Sequence, residues 1–472
     1  MTELLIRGGH VISMEPSVGD LPVGDVHVKE GRIDAVAEHL NVSGIEVIDA
    51  SGCIVTPGFI NGHHHAWQSL LRGFSSDWSF PEYMKERARF SGCFDAEAAY
   101  IANLLGGLEC LAAGVTTVVD HSHLQKSPGV SDGLARGLLD SGIGGFFCYA
   151  LQNVTDFLND QQIDAEAVTD LLTRPADDWH YENAERVRRQ FFDGNTGPLR
   201  FGVALAEGTA YGSLDEAKRV FERARTLQPA LITSHWNAVR MLGVYKSNLS
   251  SLEKAGAFTA PTLLSHNNQL NDSDLELMVK TNIGHCTCPD TESGMGLGKL
   301  MARKFAEMGG ASSLGIDTTC VIGAFMLEQA HLLLQIERMQ QAAEAGEMPK
   351  TIGWPTRPVF EMLTSLGARA VGLQNEVGSL APGKCADLLV IRPNDISAQP
   401  MTDPIATLLF YTQNSDIQHV LVNGEFRKRD GVLQGFDLWD VRMRAADALA
   451  RVRERFTRLP KARFEKAWGK FF

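Results

Sequence analysis

Short runs that alternate apolar and polar residues, separated by turn residues, occupy both ends of the chain. They predict strands at residues 3–7, 26–28, 32–36 and 46–49, and again at 385–391 and 418–422. The dipeptide Asn423-Gly424, between the last of these runs and the residues that follow, is a strong hairpin signal. Because the two β pieces flank a long middle, we expect residues 1–56 and 376–435 to pair into one small composite β-sandwich domain.

The middle of the chain, residues 57–375, alternates strand-like apolar runs with helix-like stretches. The apolar runs predict buried strands at 114–120, 201–205, 231–235, 262–266 and 313–317. Between them, residues 97–112, 213–227 and 272–279 carry helical patterns. Repeated strand–helix units are typical of a parallel sheet, and the simplest arrangement is a (β/α)8 TIM barrel of the α/β class.

Residues 436–472 form a third segment, which we predict to be a helical tail. Leu449, Val452, Phe456 and Leu459 recur there at helical spacing, among many arginines. A helix of this kind can lie on a membrane surface. It can also pack on the body of the protein or on another subunit, and we favour packing.

Polar residues with metal-binding or catalytic potential follow several of the predicted barrel strands. They are His63, His65, His235, His266 and Asp317. In a TIM barrel the carboxyl ends of the strands meet on one rim, where catalytic groups gather. His63 and His65 are two residues apart, so both can face one metal ion while His64 turns away. Neutral imidazole is a common ligand of zinc and iron.

The net charge of −13 argues against a nucleic-acid or anionic-membrane partner, since both need a concentrated basic surface. The eight cysteines are scattered and form no disulfide framework, which predicts reduced thiols. The first residues lack the long apolar core of a signal peptide, and no apolar run approaches the length of a membrane span. We therefore expect a cytoplasmic protein that acts on a small molecule.

Several motifs together resemble those of the amidohydrolase superfamily, in the branch of cytosine- and guanine-deaminase-like enzymes and triazine chlorohydrolases. The matching segments extend over nearly the whole chain and include residues 57–65, 114–121, 210–216, 265–270, 314–317 and 377–388. The resemblance implies that His63, His65, His235 and Asp317 surround one divalent metal. It places His266 beside the bound water and the substrate, and it implies a homodimer or larger homo-oligomer.

The identity and number of the metal ions are inferred less directly from the sequence than the ligands are. Dinuclear relatives use a carboxylated lysine near the fourth barrel strand, and residues 201–208 contain no lysine, which favours a mononuclear site. Zinc is the expected metal, although iron, manganese or cobalt suits the same nitrogen and oxygen ligands.

One departure from the family pattern concerns the proton-shuttling glutamate. Deaminases of this family place it three residues after the fifth-strand histidine, and here Ala238 occupies that position. Relatives also carry His-Cys-Pro followed by Ser-Asn before the eighth strand, where this chain has Thr-Cys-Pro and then Asp-Thr-Glu at 287–292. Glu207 and Glu292 are the nearest acidic residues that can substitute, and His285 is a third candidate.

Hydrolysis remains the leading hypothesis without that glutamate. A divalent metal lowers the pKa of bound water from about 15.7 to roughly 7 in favourable sites. Asp317 can accept the proton of the water and deliver it to a leaving group, while His266 can polarise the electrophile. An amine needs a proton in order to leave, whereas a thiolate or halide needs less help. The substrate therefore has a better leaving group than ammonia, or Glu207 or Glu292 replaces the missing acid.

The substrate pocket is expected just beyond these strand ends, with aromatic walls that suit a small, flat, cyclic molecule. The candidate lining residues are Trp67, Gln68, Trp78, Trp236, Asn237 and His285. Two other functions stay open: a lyase or decarboxylase on the same metal scaffold, and a catalytically silent assembly protein. The intact set of His63, His65, His235, His266 and Asp317 argues against the silent protein.

Overall fold

The computed structural model describes residues 3–154, 164–166, 174–210, 212–236, 247–394 and 396–469. The chain begins with five strands, β1 (Leu4–Val11), β2 (Leu21–Lys29), β3 (Arg32–Ala37), β4 (Glu46–Asp49) and β5 (Ile54–Pro57). Eight further strands follow, β6 (Phe59–His64), β7 (Val115–Ser122), β8 (Gly144–Leu151), β9 (Leu199–Leu205), β10 (Ile232–Trp236), β11 (Thr262–His266), β12 (Gly284–Thr287) and β13 (Ser312–Leu314). The last four are β14 (Leu388–Ile391), β15 (Ile417–Val422), β16 (Glu425–Arg429) and β17 (Val432–Leu433).

Strands β6 to β13 form a closed barrel in which each strand is parallel to its neighbours. The predicted (β/α)8 barrel of the α/β class is therefore confirmed. The sequence patterns did not indicate β8 and β12, which complete it. Both are continuous buried runs without alternation, because their side chains face either the barrel interior or the surrounding helices.

Helices surround the barrel and connect its strands. Up to β13 they are α1 (Phe80–Ser91), α2 (Ala96–Ala112), α3 (Pro128–Ser141), α4 (Asp178–Phe191), α5 (Leu214–Thr226), α6 (Leu249–Lys254), α7 (Asp272–Lys280), α8 (Pro289–Gly294) and α9 (Ala302–Glu307). After β13 they are α10 (Met326–Ala345), α11 (Thr356–Leu363), α12 (Ser365–Ala370), α13 (Pro404–Tyr411), α14 (Leu438–Thr457) and α15 (Lys461–Trp468). No helix of the described residues is both long enough and apolar enough to cross a bilayer.

A second, nine-stranded sheet unites the two ends of the chain. Its order is β17-β16-β15-β14-β5-β1-β2-β3, and β4 pairs in parallel with the first half of β1. The junction is the antiparallel pairing of β14 with β5, in which Val390 lies opposite Val55. Both strands are buried throughout, so apolar burial fixes their register. The expected composite β domain is this sheet.

The helical tail packs on the body of the chain. Helix α14 buries Val441, Ala445, Ala448 and Val452, and it lies against α2. The ring of Phe456 stacks on that of Phe90, with centroids 3.9 Å apart. A guanidinium nitrogen of Arg455 lies 2.6 Å from Oδ2 of Asp95, the residue that caps α2.

Close packing of α2 and α3 depends on glycine. A Cβ atom at Gly137 would lie 2.2 Å from the carbonyl oxygen of Tyr100, a distance that backbone atoms do not tolerate. We expect Gly137→Ala to lower the free energy of unfolding by about 1–3 kcal/mol, because overpacking outweighs the gain of about 1 kcal/mol in helix propensity. Gly129→Ala is the matched control in the same helix, since its nearest new contact is 3.7 Å. Equal urea midpoints for the two variants would contradict the expectation.

Candidate functional site

The carboxyl ends of the barrel strands bring together four side chains from three distant parts of the chain. One ring nitrogen each from His63, His65 and His235 and one carboxylate oxygen of Asp317 all lie within 4.8 Å of one another. Nε2 of His235 is 3.1 Å from Nε2 of His63 and 3.3 Å from Nε2 of His65. Oδ1 of Asp317 is 3.4 Å and 3.2 Å from the same two nitrogens. The four residues predicted as metal ligands therefore converge.

The hydrogen bonds around this cluster favour a bound cation. Nδ1 of His65 donates to the carbonyl oxygen of His121 at 2.8 Å, so in the neutral ring Nε2 carries a lone pair. That lone pair faces the Asp317 carboxylate, which is also an acceptor, so neither group offers a proton to the other. Burial lowers the pKa of His63 to about 4 and the pKa of His235 well below its ordinary value, so both rings are neutral. A divalent cation among these acceptors fits the donor set, and the His65–carbonyl bond orients its ligand as in metal sites.

The backbone at two of these strand ends is strained. His266 and Asp317 have φ values of +74° and +60°, in the left-handed region that side chains rarely adopt. The amide of Asp317 donates to the carbonyl of His63 at 2.9 Å, and the amide of His65 donates to the carbonyl of Asp317 at 2.8 Å. These two bonds hold Asp317 against the end of β6. Strain that the surroundings maintain in this way is typical of functional sites.

His266 lies beside the four converging residues, and Glu292 contacts the Nδ1 edge of its ring. The rings of His266 and His63 have centroids 5.2 Å apart, and the ring of His266 stacks against that of His235 at 5.5 Å. Nδ1 of His266 is 3.0 Å from Oε1 of Glu292, whose side chain is fully buried. Glu292 is thus in contact with His266 rather than with the four-residue cluster.

His285 has both ring nitrogens bonded to the protein. Nε2 donates to the carbonyl of His266 at 3.2 Å, and Nδ1 accepts from the hydroxyl of Ser312 at 2.9 Å. Burial lowers the pKa of His285 to about 4, which agrees with a neutral ring in this tautomer. This geometry makes His285 a support for the backbone at His266 and does not favour the predicted contact with substrate.

The other predicted pocket residues have varied surroundings. Trp67 is buried and donates from Nε1 to Nδ1 of His123 at 2.8 Å. Gln68 is buried and donates from Nε2 to the hydroxyl of Tyr83 at 2.8 Å. Trp78 is half-buried against the core. Trp236 is fully buried, and its Nε1 has no partner among the described residues.

Two predicted residues cannot be placed in the site. Asn237 lies outside the described residues, as does Ala238. The backbone of Glu207 begins a short 3-10 turn after β9. The position of its side chain lies outside what the structure describes.

A second His-x-His pair, His121 and His123, was missed in the sequence. The ring of His121 stacks on that of His235 with centroids 4.2 Å apart, and the ring of His123 stacks on that of His65 at 4.1 Å. Both rings are buried, and burial lowers both pKa values well below the ordinary value. The spacing signal at the end of β7 equals that of His63 and His65, so the same argument applied there would have found the pair.

Comparisons with known proteins agree with this geometry. The model of the Amidohydrolase family matches residues 54–427. The 5-methylthioadenosine/S-adenosylhomocysteine deaminase of Symbiobacterium thermophilum is 28% identical over 475 residues, covering 96% of this chain and 99% of that protein. The 5'-deoxyadenosine deaminase of Methanosarcina barkeri is 26% identical over 431 residues, covering 90% and 92%.

Two solved structures have a similar fold. An adenosine deaminase from Xanthomonas campestris with bound Zn superposes with a TM-score of 0.80 at 19% identity, covering 96% of this chain and 99% of that one. Atrazine chlorohydrolase TrzN from Arthrobacter aurescens TC1, complexed with zinc, superposes with a TM-score of 0.79 at 19% identity, covering 94% and 100%. At these identities the likeness concerns the fold alone.

Proposed function

The chain belongs to the amidohydrolase family, and from this premise we propose that it uses one divalent metal to hydrolyse a bond between a ring carbon and a substituent of a small, flat heterocycle. The named relatives are deaminases, and a structural neighbour is a chlorohydrolase. Purines and triazines are both flat nitrogen heterocycles that carry a displaceable group. This shared substrate chemistry supports the proposed class, and the enzyme is a hydrolase.

The convergence of His63, His65, His235 and Asp317 is the observation that carries the proposal. These residues would hold the metal, and zinc is the proposed ion because two structural neighbours contain it. When bound, the metal supplies a Lewis acid and lowers the pKa of water. Nitrogen and oxygen ligands of this kind also accept iron, manganese or cobalt. A homo-oligomeric, cytoplasmic enzyme remains part of the proposal.

The protein side chains supply proton transfer and orientation. Asp317 takes a proton from the attacking water and returns it to the leaving group. His266, beside the cluster, contacts the substrate. Ala238 cannot carry a proton, so a leaving amine receives no help at that position. Because general acid catalysis contributes about a hundred- to ten-thousandfold in rate, we propose that the natural leaving group departs more easily than ammonia, as chloride or a thiolate does.

Product identification with paired substrates tests this proposal. We expect release of chloride from 6-chloropurine riboside to exceed release of ammonia from adenosine by at least about a hundredfold in kcat/KM. The Methanosarcina barkeri deaminase, assayed in parallel, is the matched control, and it should show a much smaller preference. Release of ammonia at an equal or higher rate would contradict the proposal. Release of carbon dioxide from a carboxylated ring would favour the lyase or decarboxylase instead.

A further inference from the structure

Glu292 is a fully buried carboxylate that accepts hydrogen bonds on both oxygens. Oε1 accepts from the amide of Cys288 at 2.8 Å and lies 3.0 Å from Nδ1 of His266. Oε2 accepts from the hydroxyl of Thr287 at 2.7 Å and from the amide group of Asn268 at 3.4 Å. A buried carboxylate is costly unless such donors satisfy it. The surroundings of Glu292 are therefore built to hold an ionised carboxylate.

The direction of the bond to His266 follows from these partners. The backbone amide and the side-chain amide are donors, so Glu292 is an acceptor, and Nδ1 of His266 carries the proton. In the neutral ring the lone pair then lies on Nε2, on the opposite edge. A bond to a charged acceptor is about twice as strong as a neutral one, which makes this tautomer the preferred one.

The backbone of His266 is held as firmly as its ring. His266 and Asn267 have φ values of +74° and +60°, and the carbonyl of His266 accepts from Nε2 of His285. These constraints fix where the ring begins and which way it points. Glu292 then determines which nitrogen of the ring is the acceptor.

We propose that Glu292 is a positioning residue that fixes His266 as a hydrogen-bond acceptor at Nε2. The substrate then presents a donor to this nitrogen: a ring N–H, an amino group or a hydroxyl group. This specificity rests on the proposed hydrolytic function, whereas the tautomer of His266 is a property of the protein alone. An unprotonated Nε2 cannot polarise an electrophile by donating a hydrogen bond, contrary to the expectation from the sequence, and a substrate that presents only a carbonyl or an unprotonated ring nitrogen at that place is disfavoured. In 6-chloropurine riboside the ribose hydroxyl groups are the only donors, so one of them would face this nitrogen.

The tautomer can be measured without any substrate. In the zinc-loaded protein labelled with ¹⁵N-histidine, a long-range ¹H–¹⁵N correlation spectrum separates protonated from unprotonated ring nitrogens. The signals that disappear in His266→Asn belong to His266. We expect a protonated Nδ1 and an unprotonated Nε2 in the wild-type protein. A protonated Nε2 with an unprotonated Nδ1 would overturn the proposal.

Two further variants separate positioning from general packing. In Glu292→Gln the Nδ1–H preference should weaken, and kcat/KM should fall roughly tenfold at unchanged zinc content. Thr287→Val removes a different donor to the same carboxylate, and the tautomer should persist. A second zinc per chain that is lost in Glu292→Gln would overturn the proposal, since His266, Cys288 and Glu292 also lie close enough together to hold a metal.

The inferred contact with substrate is tested with the compound that has the highest kcat/KM in the paired assay. Methylation of its donor group should raise KM at least tenfold in the wild-type enzyme and much less in His266→Asn. Equal increases in both would overturn the inferred donor contact. If no compound is hydrolysed, the proposed function fails, while the spectrum still decides the role of Glu292.

Discussion

Asp317→Asn is expected to abolish metal binding and hydrolysis together. The substitution keeps the shape of the side chain but removes the negative charge beside Nε2 of His63 and His65, at 3.4 Å and 3.2 Å. It also removes the group that would accept the proton of water. Loss of several kcal/mol of metal-derived stabilisation corresponds to a rate lower by at least about a thousandfold. Metal analysis and a hydrolysis assay on the same preparation measure both effects.

Asp387→Asn is the matched control for this prediction. Asp387 is a buried carboxylate immediately before β14, and it accepts from the backbone amide of Asn423 at 2.6 Å. Burial raises the pKa of Asp387 to about 7, so the neutral amide replaces a group that is already partly protonated at neutral pH. We expect its metal content and rate to match those of the wild-type enzyme. Retention of metal and activity in Asp317→Asn would refute the assignment of Asp317.

Ala238→Glu is expected to increase the release of ammonia. The variant places a carboxylate three residues after His235, the position at which the resemblance to family deaminases predicts a proton-shuttling glutamate. General acid assistance contributes about a hundred- to ten-thousandfold, so we expect adenosine deamination to rise roughly a hundredfold. Chloride release from 6-chloropurine riboside should change much less, because chloride leaves without a proton. The measurement is kcat/KM for the two substrates.

Ala238→Gln provides the control, since glutamine has a similar size but cannot shuttle a proton. It should leave the ratio of ammonia to chloride release unchanged. If Ala238→Glu also leaves that ratio unchanged while zinc content stays normal, another residue already serves as the acid. Glu207→Gln would then be the next variant to assay, because Glu207 begins the turn after β9.

The fold was largely predictable because hydrophobic patterning reports directly on buried strands. Six of the eight barrel strands, β6, β7, β9, β10, β11 and β13, coincide with apolar runs that stand out in the sequence. By contrast, β12 spans only four residues, Gly284–Thr287, and two of them are polar. A short strand with buried polar residues is recognised only when its neighbours surround it. Its side chains are satisfied by tertiary contacts, such as the bond between His285 and Ser312.

The candidate site was predictable where its chemistry depends on residue type. It was less predictable where the chemistry depends on the direction in which a side chain points. The position of the three imidazoles, His266 and Asp317 on one rim followed from the strand ends, and the resemblance to the family then separated the four metal ligands from His266. The contact of Glu292 with His266 did not, because it depends on how α8 turns the chain back after β12. The choice between Glu207 and Glu292 as a substitute acid also depends on side-chain direction. Sequence spacing carries no information about that direction across separate loops.

The sheet that joins the two chain ends has a consequence for biosynthesis. One edge of β5 is covered early by β1, but its other edge waits for β14, which follows only after the entire barrel. At typical rates of about 5–20 residues per second, the ribosome needs roughly 15–70 seconds to make the intervening residues. An uncovered strand edge in this interval readily pairs with other chains. Premature termination before residue 388 would leave that edge permanently exposed, so shortened products of this gene should aggregate rather than accumulate as isolated barrels.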